Sequence, residues 1–326
     1  MIEVNKAHII TREEKQQKQA DKASSGNSDS LSIFDKTSRT VHGLTIEKIS
    51  DDDIKNDNNS DDNNINDNVK VPENTDNSTV KIDKRIGKFE QSKTANDCWL
   101  VASIKALFKT KEGAQAIKDA ISQDPDTGNV TVTLKTGDSY TFTPQEINDA
   151  ESRLSTGDDD VRVLEMAVEK HRKKEMEECQ KAGKKYKGCG TTEIPLMYGT
   201  PEEAIKLIAG KLSTELEPSH NTEWNLIEPL NQNTYLDLIE KYPDKYCALI
   251  TFDKEDTSRN IVPKHLYVID HVEGDNIMLI NPWNSDERTL ISRDELLTNC
   301  KYMNTVTFET NKTMVFDKLN TEFPNL

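Results

Sequence analysis

Five cysteines stand in the chain, Cys98, Cys179, Cys189, Cys247 and Cys300, with no Cys-x-x-Cys pair or other metal-ligand spacing among them. An odd count leaves at least one thiol free, and the default for such a thiol is a small buried core residue. Cys98 has a different context. It lies in the run DCWLVASIKALFK, a helix beginning at Asp97 or Cys98, in which Leu100, Val101, Ile104, Leu107 and Phe108 share one helical face and Asp97 stands where an N-cap would. A thiol at a helix N-terminus feels the positive end of the helix dipole, which favours the thiolate, and a nearby imidazolium would favour it further. The chemistry implied is nucleophilic attack, and it needs a base.

The base cannot be read from local spacing, because nucleophile and base meet only in the fold. His265 opens HLYVIDHV, and sixteen residues later, across a turn at Glu273-Gly274-Asp275, comes Asn281-Pro282-Trp283. A hairpin turning at Gly274 brings residues 265 and 281 toward one end of paired strands. An Asn amide oxygen accepts from an imidazole N–H and so aims the other ring nitrogen at the thiol. Trp283 would shield that bond from water. His271 is the rival, sharing the strand face with His265 but about 20 Å along it. Asp270 and Asp275 read as a strand-edge and a turn residue, and the other four cysteines as structural.

At these residues the chain resembles the calpain family of papain-like cysteine peptidases. The matching pieces are Gln91 followed by Asn96-Asp97-Cys98-Trp99-Leu100 and an apolar helix, then HLYVID at His265, then Asn281-Pro282-Trp283. Weaker echoes lie in VLEMAVEKHRK from Val163 and GTPEEAIKLIAG from Gly199, so the likeness spans about residues 84 to 290. It departs from the family where Gln91 stands seven residues before Cys98, one more than usual, where SKTAN lacks glycines, and where Asn284 replaces a Gly after Trp283.

The resemblance implies a calpain-type endopeptidase, calcium-activated or calcium-independent, that works through a Cys98 thioester on a protein or peptide substrate. Cys98 would be the nucleophile, His265 the proton shuttle, Asn281 its orienter and Gln91 a donor to the oxyanion hole. Two alternatives remain open: a papain-fold deamidase or transglutaminase, and an inactive papain-fold binding scaffold. Calcium is the one candidate cofactor, because animal calpain cores bind it through acidic loops. Gly157-Asp158-Asp159-Asp160 and Asp253 to Asp256 are acidic here, but no single residue is assigned as a ligand.

The elements that must position these residues alternate in texture. After the helix at Cys98, a second is expected near 114–121, then a hairpin from NVTVTLK and SYTFT around Thr136-Gly137-Asp138, then a long helix from about Val161 to Lys181 and another over PEEAIKLIAGK. CALITF, HLYVIDHV, NIMLINP, TVTFET and KTMVF read as strands. The fold class is therefore α+β: a helical half over about 84–200 and an antiparallel β half over about 200–316, with a papain-like arrangement implied by the resemblance.

The rest is bounded by composition. Residues 1–80 lack a sustained period and include seven Asp and seven Asn between Asp51 and Lys70, which reads as a disordered, acidic low-complexity tail; only VHGLTIEKI around Leu44 offers a docking element. Residues 317–326 read as a C-terminal tail. A formal charge of −16 argues against nucleic acid as a partner. No run approaches the roughly 20 apolar residues of a membrane span, and the start lacks the apolar stretch of a secretory signal. The expectation is a cytoplasmic protein, or one exported without a cleaved signal peptide.

Overall fold

The computed structural model describes residues 80–322 apart from 212, 214 and 217–230. The expected acidic tail, up to residue 79, and the docking element around Leu44 lie outside the described residues. The first helix, α1 (Cys98–Lys109), buries Leu100, Val101, Ile104 and Leu107 on the face that the spacing marks. Helix α2 (Lys111–Ala120) begins at Thr110, whose hydroxyl accepts from the Gly113 N–H. Strands β1 (Ile121–Gln123), β2 (Val130–Thr133) and β3 (Ser139–Phe142) form a small antiparallel sheet. The β2–β3 turn needs Gly137, at φ +92°.

Helix α3 (Pro144–Ala150) starts in a Thr143–Glu146 capping box. Helix α4 (Asp159–Lys181) is capped by Asp158, which accepts from the Val161 N–H. Helix α5 (Pro201–Ala209) follows, and its Ala204, Ile205, Leu207 and Ile208 join the core built on α1 and α4, so the helical half extends past residue 200.

Beyond α6 (Gln232–Lys241) come β4 (Tyr246–Phe252), β5 (Leu266–Glu273), β6 (Asn276–Asn281) and β7 (Asn284–Ser292), then α7 (Arg293–Asn299), β8 (Cys300–Thr307) and α8 (Asn311–Glu322). The five strands make one antiparallel sheet in the order β7-β6-β5-β4-β8. Its strands alternate between two cores. Cys247, Leu249, Leu266, Val268 and Ile280 face the helical half, whereas Tyr246, Ala248, Ile250, Phe252, Tyr267 and Ile269 face a second core closed by α6, α7 and α8. Burial on both faces is why CALITF is continuously apolar.

Several segments differ from expectation, among them α3, α6 and α7, unassigned from the sequence. KTMVF is not a strand but part of α8: Met314 is buried in the second core and Lys318 Nζ donates to Asp237 Oδ2 of α6 at 2.5 Å, so a neighbouring helix decides a segment too short to declare itself. That helix also runs into the stretch expected as tail, as far as Glu322. The polar β7, unassigned from the sequence, pairs along β6.

Candidate active site

The segment before α1 is laced to the loop that holds Asn281. The Phe89 N–H donates to Ser285 Oγ at 2.8 Å, the Ser285 N–H returns to Phe89 O at 3.0 Å, and the Gln91 N–H donates to Pro282 O at 3.0 Å. On its other side Glu90 bridges to Thr156 in both directions. These bonds bring the Cys98 box and the Asn281 box, nearly two hundred residues apart in sequence, to one place. Cys98 is half-buried at the first position of α1, and the backbone N–H of Leu266, the residue after His265, faces its sulfur together with its own and the Trp99 N–H.

His265 is 4% exposed and Asn281 3%. Their side chains meet, with His265 Nε2 and Asn281 Oδ1 2.8 Å apart. The same Asn oxygen accepts from the Trp283 N–H at 3.0 Å. A backbone N–H can only donate, so the atom it meets is the oxygen, and Nε2 must be the protonated nitrogen. The tautomer is thereby fixed, and Nδ1 is left with the lone pair that a base needs. Trp283 stacks on the ring at a centroid distance of 4.3 Å and Tyr267 meets it edge-on at 4.9 Å. Trp283 stays 43% exposed, so it screens the ring on a solvent-facing side.

Electrostatics run against the expectation from the helix dipole alone. Burial pushes the Cys98 thiol up from its ordinary value, and the neighbouring Asp97 carboxyl pushes it the same way, outweighing the three backbone N–H groups that favour the thiolate. Burial also pulls His265 down to about 4, against the opposing pull of the Asn281 hydrogen bond. Thiol and imidazole are therefore each held neutral at rest. Cys247 and Cys300 are pushed to about 12 by burial, in keeping with structural roles.

Asp97 occupies the N-cap position of α1, but its side chain caps nothing and is fully buried instead. Gln91 is also buried, and its Oε1 finds no partner. Its amide lies beside Asp97, so its side chain is engaged inside the protein. Trp99, next to Cys98, is clamped: its indole N–H donates to Leu196 O at 2.9 Å and the Arg172 guanidinium lies 4.2 Å over its ring. Arg172 is fully buried, grips Glu203 through two hydrogen bonds of 2.6 and 2.5 Å, and donates to Pro195 O and Tyr198 O. Gly199 sits against this pair so closely that a Cβ would lie 2.5 Å from the indole.

His271 is largely exposed and pairs with Asp270 at 3.5 Å, away from Asn281. It does not share a face with His265 as a regular strand would require, because a bulge at Asp270 shifts the register. Asp270 itself bonds Lys109 of α1 at 2.7 Å and Arg288 of β7 at 3.0 Å. The acidic loops do not fit calcium. Asp158, Asp159 and Asp160 accept backbone N–H groups of Gly87, Lys81, Asp83 and Lys84, and Asp256 closes its own turn on Ser258. Among the described residues no group of three acidic, His or Cys side chains is placed to hold a metal.

Two residues escaped the sequence reading: Glu165, buried on α4, and Arg172. Glu165 carried a signal, since it falls four residues after Val161 and three before Val168 on the apolar stripe of the helix, where a carboxylate has no business in a merely solvated face. Among the described residues no helix is long and apolar enough to cross a membrane. No protein-family model matches the chain, and no curated protein matches it.

Proposed function

We propose that the chain is a cysteine-type endopeptidase with a calpain-like, papain-like core. The observation that carries this reading is the His265–Asn281 hydrogen bond, locked by the Trp283 N–H, on a segment whose next backbone N–H, that of Leu266, faces the sulfur of the helix-opening Cys98. In the reaction His265 Nδ1 takes the Cys98 proton as the sulfur attacks a substrate carbonyl carbon, and the carbonyl electron pair moves to oxygen. Backbone N–H groups at the start of α1 are suited to stabilise that oxyanion. When it collapses the C–N bond breaks, the amine leaves with the proton from His265, and a thioester remains. Water, deprotonated by His265, then cleaves the C–S bond to give the acid and restore the thiol. Neutral resting groups mean that the proton moves as substrate binds, and not before.

The same neutrality favours a second reading, a papain-like scaffold that binds peptides without cleaving them. A thiol-alkylating epoxide and a denatured protein substrate separate the two. The peptidase reading expects cleavage that Cys98→Ala and His265→Ala each abolish, with epoxide attached to Cys98 in the wild type. Cleavage that survives Cys98→Ala, or a Cys98 that never reacts, ends it. Release of ammonia, or incorporation of a labelled amine, without peptide cleavage would assign a deamidase or transglutaminase instead.

A further inference from the structure

Two carboxyl groups lie side by side where water does not reach, one of them on the residue before the thiol. Asp97 and Glu165 both have no exposed surface. Glu165, on α4, accepts from the Ser155 N–H at 3.1 Å and from the Ser155 hydroxyl at 3.0 Å. Asp97 is held less well: its oxygens make no hydrogen bond of ordinary geometry, only the Gln91 amide and its own backbone N–H lie near enough to favour its charge, and the acidic group it faces is the Glu165 carboxyl. Among the described residues no Lys or Arg forms an ion pair with either. Beside Asp97 from the preceding segment lies the neutral Gln91 amide, and from α4 the acidic Glu169, which is already paired with Arg153 at 2.6 Å. Arg162 reaches only the far side of Ser155, donating to its carbonyl at 2.9 Å, and pairs with Asp159 and Glu151. Two carboxylates in such a place would each lack hydration and would repel one another. One proton removes the repulsion and turns the contact into a carboxylic O–H donating to a carboxylate.

We propose that Asp97 and Glu165 hold one proton between them at neutral pH, and that this buried monoanion is a positioning element for Cys98, fixing the first turn of α1 and setting how readily the thiol ionises. The second half rests on the reading of Cys98 as a nucleophile. The Asp97 carbonyl accepts from both the Leu100 and Val101 N–H groups, at 2.8 and 3.2 Å, so anchoring its side chain anchors the turn that carries the sulfur. Its charge stands next to the thiol and opposes the thiolate. Burial holds both carboxyls above their usual range, Glu165 the more strongly, in keeping with a retained proton.

The test uses the full chain as wild type, Asp97→Asn, Glu165→Gln and the double variant, whose amides preserve shape and hydrogen bonding. Infrared spectra at pH 7 should show the C=O stretch of an un-ionised carboxylic acid in the wild type that is missing from the double variant; its absence in the wild type overturns the shared proton. Iodoacetamide alkylation of Cys98, followed by mass spectrometry of its peptide from pH 5 to 10, reads the second half. Asp97→Asn removes the adjacent charge and should lower the midpoint by about one pH unit, a roughly tenfold faster reaction at pH 7. Glu165→Gln confines the charge to Asp97 and should raise it. Shifts in the same direction for both variants, as general loosening would give, refute the tuning role. Neither readout needs peptidase activity, so a chain that cleaves nothing but passes both would lose only the proposed function.

Discussion

Replacing Asn281 by Asp turns the orienter of His265 into a charge and tests whether burial sets the imidazole. In the wild type the ring is 4% exposed, its one strong polar partner is the neutral Asn281 oxygen at 2.8 Å, and burial draws its pKa down to about 4. A carboxylate in the same place keeps an acceptor for Nε2–H and for the Trp283 N–H, and adds one negative charge. With charge centres about 4 Å apart and an effective dielectric of 20, attraction to the imidazolium is about 4 kcal/mol, or about 3 pH units. The new carboxylate is itself desolvated, so this is an upper bound, and the midpoint should land between about 5 and 7. The assay is an NMR titration of the His265 ring protons, with His265→Ala identifying the resonance. A wild-type midpoint near 6.5 would show that burial does not govern the ring. A midpoint below 5 in Asn281→Asp would show that the two side chains do not meet as described.

Other outcomes follow from the same contacts. Asn281→Ala should reduce amide hydrolysis less than Cys98→Ala or His265→Ala does, because it removes orientation and not a reacting group; equal losses in initial-rate assays would mean that its role is misassigned. Asp160 is pushed to about 7 by burial, so the folded state binds more protons than the unfolded chain between about pH 4 and 7, and its contribution to stability falls as pH rises through that window. Asp160→Asn should flatten the fall in melting temperature across that range, and an unchanged slope would refute the assignment. His265 has the opposite sign: with a folded value of about 4 against about 6.5 unfolded, it adds stability above pH 6.5 that is lost toward pH 4, and His265→Ala should lose less on acidification in calorimetry. Arg172→Ala leaves the partly exposed Glu203 and the Pro195 and Tyr198 carbonyls without their donor and should cost about 1–3 kcal/mol in chemical denaturation, whereas no measurable loss would mean the clamp on Trp99 is not structural.

Much of this was legible in the residues. Period 3.6 in DCWLVASIKALFK fixed a helix starting at Cys98, short β-rich apolar runs marked β4, β5 and β6, and Gly274 marked the turn that brings His265 and Asn281 to one end of the paired strands. These are local matters, decided by side-chain spacing and turn chemistry over a few residues. The fate of KTMVF was not local: a five-residue apolar run suits strand or helix, and only the presence of α6, with Asp237 to receive Lys318, settles it as helix. The bulge at Asp270 was equally hidden, since one extra residue in a ladder leaves no mark in composition yet turns His271 away from the face of His265. Least legible was the ionisation of Cys98. The sequence places a thiol at a helix start, where the dipole favours the thiolate, but desolvation depends on everything packed around it, including an Asp97 side chain buried against Glu165, almost seventy residues on. Position along a helix is written in the chain; the dielectric around a sulfur exists only once the chain has closed over it.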